Sequence, residues 1–243
     1  MPSWNIHTAH VERLLAENEA AALGIADVNA FLFGNYVPDV YLGFMVPDTT
    51  YRIDYCLTHL ADVHAIPIPD ADRFWDHNVR RRSPDSPAGK SLVLGAWAHL
   101  FADQWYNTRF RVFVGERGLA INDDLRIRKQ SDFDLFGRSF DLSSYVRVTP
   151  ELLEAGRRFR PYSILPDDVQ KAVDVASAIV GGSAPARGLD DYQLLGSEWM
   201  TETFEECTSE LATWLRAWGE HAADRPSAEQ MRAFVIKRDS PFL

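Results

Sequence analysis

Apolar and polar positions along this chain recur with the spacing of helices. After Thr8, the residues Val11, Leu14 and Leu15, and later Ala21 and Ala22, predict a first helix over about residues 8–22 with His7 at its mouth. A short second helix, capped by Asp27 or Asn29, runs through Phe31 and Phe33 and ends at Gly34-Asn35. Pro38 and Pro47 then favour an extended loop, YVPDVYLGFMVPD. Residues 51–61 read as further helical turns with His59 near their end. Pro67 and Pro69 break the chain before a helix over roughly 70–80, and RRRSPDSPAG is a surface connection. It leads to SLVLGAWAHLFAD, the apolar centre of a helix over about 89–107.

The second half is less regular. Residues 108–149 combine RFRVFVG with a charged stretch, INDDLRIRKQSDFDLFGRSFDL, and predict irregular structure or an insertion covering one edge of the core. Thr149-Pro150 and Pro166-Asp167-Asp168 have the chemistry of helix starts. GGSAPARG at 181–188 reads as a linker. The last long helix, about 189–220, carries Leu194, Leu195, Trp199, Phe204, Leu211, Trp214, Leu215 and Trp218, an apolar stripe read as core. The expected fold is therefore all-α: a helical core over 1–180, and C-terminal helices over 189–243 packed on it.

Composition narrows the class. With 243 residues, 46% of them hydrophobic, the chain can bury one substantial core. The net charge of −10 argues against a nucleic-acid duplex or an anionic membrane as a general partner. Cys56 and Cys207 cannot build a disulfide framework and read as reduced thiols in a cytoplasmic setting. No window reaches transmembrane length, and MPSWNIHTAHVERLL lacks the basic and apolar regions of an export signal.

The chemistry concentrates early. His99 and Asp103 stand four residues apart, on one face of the most apolar helix. A buried carboxylate there needs a cation, a metal or several hydrogen bonds. The pair can simply bond to each other inside a core, but six of the seven histidines fall within the first 99 residues, as metal sites require and packing does not. Other site patterns fail. AGKS at 88–91 has Pro84 where a phosphate-binding loop needs glycine, and GxSxG, HExxH and CxxC do not occur. Arg80-Arg81-Arg82 reads as solvated surface.

Taken in order, Trp4 with His7, Asn35-Tyr36-Val37-Pro38-Asp39, Thr58-His59 and His99-x-x-x-Asp103 resemble the amino-terminal part of the zinc-dependent phospholipase C family, in its broad bacterial branch, with fungal single-strand nucleases as distant cousins. The resemblance covers residues 1–107. It implies an all-α, multihelical domain of the phospholipase C type around up to three zinc ions. Asp39, His59, His99 and Asp103 would hold one metal, with Asp103 bridging to a second at His7. The chain departs from the family pattern in two places: Trp4 follows Met-Pro-Ser rather than opening the chain, and no histidine follows Asp103 until His221. Asp132, Asp134, Glu198, Glu202 and Glu206 are the oxygen donors available to replace the missing ligands. His10, His64 and His77 are spare nitrogen donors, and His10 is equally readable as surface.

Two functions fit these residues. One is a zinc-dependent phosphoesterase that cleaves phosphodiester bonds of a small phosphoester or lipid headgroup, with Asp39 holding the metal or orienting the attacking water. The other is a non-catalytic helical binding domain that the metal stabilises.

Overall fold

A computed structural model describes residues 2–82, 84–182 and 191–238. Eleven α-helices follow one another: α1 (Trp4–Glu17), α2 (Val28–Gly34), α3 (Val37–Val40), α4 (Tyr55–Thr58), α5 (Ala71–Phe74), α6 (Pro87–Glu116), α7 (Asp123–Arg138), α8 (Pro150–Arg157), α9 (Pro166–Gly181), α10 (Gly196–His221) and α11 (Ala228–Arg238). Short 3₁₀ turns at Ala20–Leu23 and Ala222–Asp224 and a π-helical segment at Trp75–Arg80 complete them, with no strand among the described residues. The elements form one domain around one core.

Local chemistry sets most helix starts. Side-chain oxygens of Asp27, Ser86, Asn122 and Thr149 each accept a hydrogen bond from the backbone N–H three residues on, the N-cap arrangement that satisfies otherwise orphaned donors. Pro87, Pro150 and Pro166 each occupy a first helical turn, where a missing N–H costs nothing.

Helix α6 is the axis. Its 30 residues span about 45 Å at about 1.5 Å per residue. Leu92 to Leu100 are buried without interruption, so this section is covered on all sides. Helix α2 makes its closest neighbour, and two glycines set their separation: a Cβ on Gly95 would lie 2.1 Å from the Phe31 carbonyl oxygen, and one on Gly34 would lie 2.4 Å from that of Leu92. Helices α8 and α10 pack on other parts of α6. Trp75, Trp97, Trp214 and Trp218 meet largely edge to face where α6, α10 and the π-helical segment converge, as core rather than as a cofactor box.

Several expectations need correction. The first helix begins at Trp4 and ends at Glu17, so Thr8 is internal; its hydroxyl donates to the Trp4 carbonyl, and Ser3 takes the cap position. Pro38 does not extend the chain but sits in the first turn of α3. The stretch 108–149 is not mainly irregular. Helix α6 continues through RFRVFVG to Glu116, and the charged stretch forms α7.

The apolar stripe of α7 escapes notice because two of its inward positions are polar. Leu125, Phe133 and Phe136 are joined on the buried face by Lys129 and Asp132. The last long helix starts at Gly196, later than residue 189, and the linker read at 181–188 falls almost wholly outside the described residues. Among the described residues no helix is long and apolar enough to cross a membrane.

Candidate metal centre

Four elements bring five side chains to one point. Helix α1 supplies His7, α3 supplies Asp39, the C-cap of α4 is His59, and α6 supplies His99 and Asp103 one turn apart. All five are buried, none more than 2% exposed. Within 4.8 Å, ligand-type atoms of His7, His99 and Asp103 form one group and those of Asp39, His59 and His99 another. His99 belongs to both.

Each ring is held from behind. His99 Nδ1 lies 2.8 Å from the Asn35 carbonyl oxygen, which can only accept, so Nδ1 carries a proton and Nε2 is the inward atom. Thr58 Oγ1 lies 2.7 Å from His59 Nδ1 and 3.3 Å from the Tyr55 carbonyl, so Nδ1 is engaged behind the ring. This again leaves Nε2 as the inward atom. The two Nε2 atoms face each other at 3.2 Å. At that distance a proton or a metal cation must lie between them.

The carboxylates complete the arrangement. His59 Nε2 is 3.5 Å from Asp39 Oδ1 and 3.6 Å from Asp103 Oδ2, and His99 Nε2 is 3.9 and 3.8 Å from the same atoms. Tetrahedral bonds of about 2.0–2.1 Å place neighbouring ligand atoms about 3.3–3.4 Å apart, so these spacings are those of ligands around an ion, slightly relaxed. Asp103 Oδ1 turns the other way, 3.4 Å from His7 Nε2. The indole N–H of Trp4 donates to Asp39 Oδ2 at 3.0 Å and the Tyr55 hydroxyl to Asp103 Oδ2 at 3.4 Å, while the Tyr55 ring stacks on His59.

Both nitrogens of His7, Asp39 Oδ1 and Asp103 Oδ1 are buried with no hydrogen-bond partner. Buried polar atoms are normally satisfied; one His7 nitrogen carries a proton, but the other and the two carboxylate oxygens can be answered by a cation. The protonation states agree. Burial lowers His7 to about 4 and takes His59 well below its ordinary value, so both rings are neutral donors at pH 7. Burial also raises Asp39 to about 6.

Comparisons of the chain with protein-family models, with curated proteins and with solved structures find no match.

The remaining candidates fall elsewhere. Asp132 is fully buried, but its carboxylate accepts from the backbone N–H groups of Gln193, Leu194 and Leu195; it orders the chain entering α10 and has no part in the centre. Asp134 accepts from Gln130, Glu206 pairs with Arg109, and Glu198 and Glu202 are exposed. His10 is not a surface residue. It is buried between Thr208 and Tyr106 and stacked on Phe204. His64 and His77 are exposed, and Arg80 donates to the Arg225 carbonyl. The residues that sequence reasoning missed are the supports: the indole of Trp4 as a donor to Asp39, and Tyr55. For Tyr55 the i, i+4 spacing to His59 was the available signal.

Proposed function

We propose that the chain is a zinc-dependent phosphoesterase of the phospholipase C type that hydrolyses phosphodiester bonds, with His7, Asp39, His59, His99 and Asp103 as its metal ligands. The supporting observation is the pair of inward Nε2 atoms of His59 and His99, 3.2 Å apart and fixed from behind, beside unpartnered oxygens of Asp39 and Asp103. Three imidazoles and two carboxylates suit zinc better than calcium or magnesium, which favour all-oxygen shells. When bound, such an ion polarises a phosphoryl oxygen and lowers the pKa of a water.

The chain's own groups supply the rest. Trp4 fixes Oδ2 of Asp39 and leaves Oδ1 free to bind the cation or to accept a proton from the attacking water. Burial raises the Tyr55 hydroxyl far above its ordinary range, so it stays a donor within reach of Asp103. Asp39 lines a cavity of about 580 Å³ and Tyr55 another of about 810 Å³, and Phe44 and Gln130 are common to both. A substrate therefore has two approaches to the centre.

Near-complete burial of the five ligands favours a second reading, a non-catalytic domain that the metal stabilises. Purified protein should carry near-stoichiometric zinc that a His99→Ala, Asp103→Ala double variant lacks, as measured by elemental analysis; equal low content in both sinks both readings. Chelation should lower Tm. Chelator-sensitive hydrolysis of chromogenic diesters, reduced in Asp39→Asn and intact in His221→Ala, separates enzyme from scaffold. A metal-loaded wild type inert toward the whole panel favours the scaffold.

A further inference from the structure

Lys129 is a buried ammonium with no ion-paired carboxylate among the described residues. It lies on the inward face of α7 at 9% exposure, where the helix otherwise buries Leu125, Phe133 and Phe136. Its Nζ donates to Asn107 Oδ1 at 3.0 Å and sits over the rings of Phe110 and Phe133, 4.7 and 5.4 Å from their centroids. The Asn107 amide is itself fixed, with Nδ2 donating to the Pro67 carbonyl at 2.8 Å. No carboxylate among the described residues forms an ion pair with this ammonium; Asp62, Asp123 and Asp124 on neighbouring segments are taken by Arg111, Arg126 and Arg128. A neutral amide, two ring faces and the more distant Asp103 carboxylate offset only part of the cost of burying the charge, and burial holds Lys129 down at about 8.

Lys129 and Asn107 both line the cavity of about 810 Å³, which Tyr55 separates from the metal centre. That volume accommodates a small-molecule ligand. Phe44 and Ile127, 67% and 68% exposed, flank it with apolar surface.

We propose that this cavity is an oxyanion-binding site in which Lys129 pairs with a phosphoryl or carboxylate group of the ligand. The inference does not require hydrolysis, since a scaffold would bind the same anion. If the chain is a phosphoesterase, Lys129 selects substrates that carry an anionic group beyond the scissile diester, on the far side of Tyr55.

The test is calorimetric titration of the protein as purified with inorganic phosphate and, separately, with acetate. It compares wild type, Lys129→Met, Lys129→Gln and the His99→Ala, Asp103→Ala double variant. Methionine keeps the stem against Phe110 and Phe133, and glutamine keeps a donor to Asn107, so at least one uncharged variant should fold, as checked by circular dichroism. Phosphate binding should weaken roughly 10–100-fold in both lysine variants, the scale of one charge-assisted contact, and persist in the double variant. Parallel loss of acetate binding would place a carboxylate among the ligands, whereas binding of phosphate alone would restrict the site to phosphoryl groups. Unchanged phosphate affinity in a folded lysine variant would overturn the proposal. So would loss confined to the double variant, or no binding of either anion by wild type.

Discussion

Substitution of Gly95 by alanine tests whether helix packing sets up the candidate metal centre. The new Cβ would lie 2.1 Å from the Phe31 carbonyl oxygen and 2.9 Å from Gly34 Cα. Close carbon–oxygen contacts run at about 3.3–3.6 Å, so α2 must withdraw from α6 by about 1 Å or more. Asn35 follows α2 directly, and its N–H bonds to the carbonyls of Phe31 and Leu32, so it moves with that helix. Its own carbonyl, now 2.8 Å from His99 Nδ1, would end near 3.8 Å, beyond hydrogen-bond range.

Overpacking costs about 1–3 kcal/mol and the lost hydrogen bond about 1 more, offset by about 1 kcal/mol from replacing a helical glycine. The net, about 1–3 kcal/mol, should lower Tm by roughly 3–10 °C in a chain of this size. With the His99 ring no longer oriented, zinc affinity should fall about 10–100-fold. Calorimetry in chelator measures the first effect, and competition against a chromogenic zinc chelator measures the second. Gly115→Ala is the control: it lies on the same helix, and its Cβ would meet nothing within 4 Å, so it should be neutral or slightly stabilising. If Gly95→Ala matches Gly115→Ala in both assays, the packing argument is wrong.

Trp4→Phe keeps the stack on Tyr36 but removes the donor to Asp39, so metal affinity should drop about tenfold with the fold intact; unchanged affinity would show that Asp39 is positioned by something else. Asp132→Ala leaves three backbone N–H groups without their acceptor and should cost about 3–5 kcal/mol in denaturant unfolding while the folded fraction keeps its metal; a metal-poor folded fraction would return Asp132 to the centre. Lys129 gives a pH signature. With its folded value near 8 against an ordinary 10.5, both states are protonated below about pH 8 and the full burial cost is present. As pH rises from 8 towards 10.5 the folded state releases its proton first, so wild type should gain up to about 3 kcal/mol relative to Lys129→Met, at about 1.4 kcal/mol per pH unit. A pH-independent difference between the two proteins in urea unfolding would mean that Lys129 is solvated.

What the sequence made legible, and what it hid, follows from where polar residues sit in an apolar pattern. In α6 the background is so uniformly apolar that His99 and Asp103 stand out, and the one-turn spacing fixes their common face before any tertiary contact is known. His7, Asp39 and His59 come from three other elements. The periodicity of each element says nothing about where the others point, and only the ordered likeness to a known motif set joined them. The same rule hid α7. There Lys129 and Asp132 occupy inward positions among many other charges, so the buried stripe looked like a solvated, irregular stretch.

The three cases differ in how the buried polar group is satisfied. Asp132 is answered by local backbone N–H groups, which makes it structural. The His/Asp cluster leaves His7, Asp39 Oδ1 and Asp103 Oδ1 without hydrogen-bond partners, and Lys129 hydrogen-bonds only a neutral acceptor, in a cavity that shares Tyr55 with that cluster. A fold held together by burial gains nothing from an unanswered charge in its core. The two unanswered groups therefore mark where the chain departs from packing alone, and their separation by one tyrosine ring suits a ligand that presents one anionic centre to the His/Asp cluster and another to Lys129.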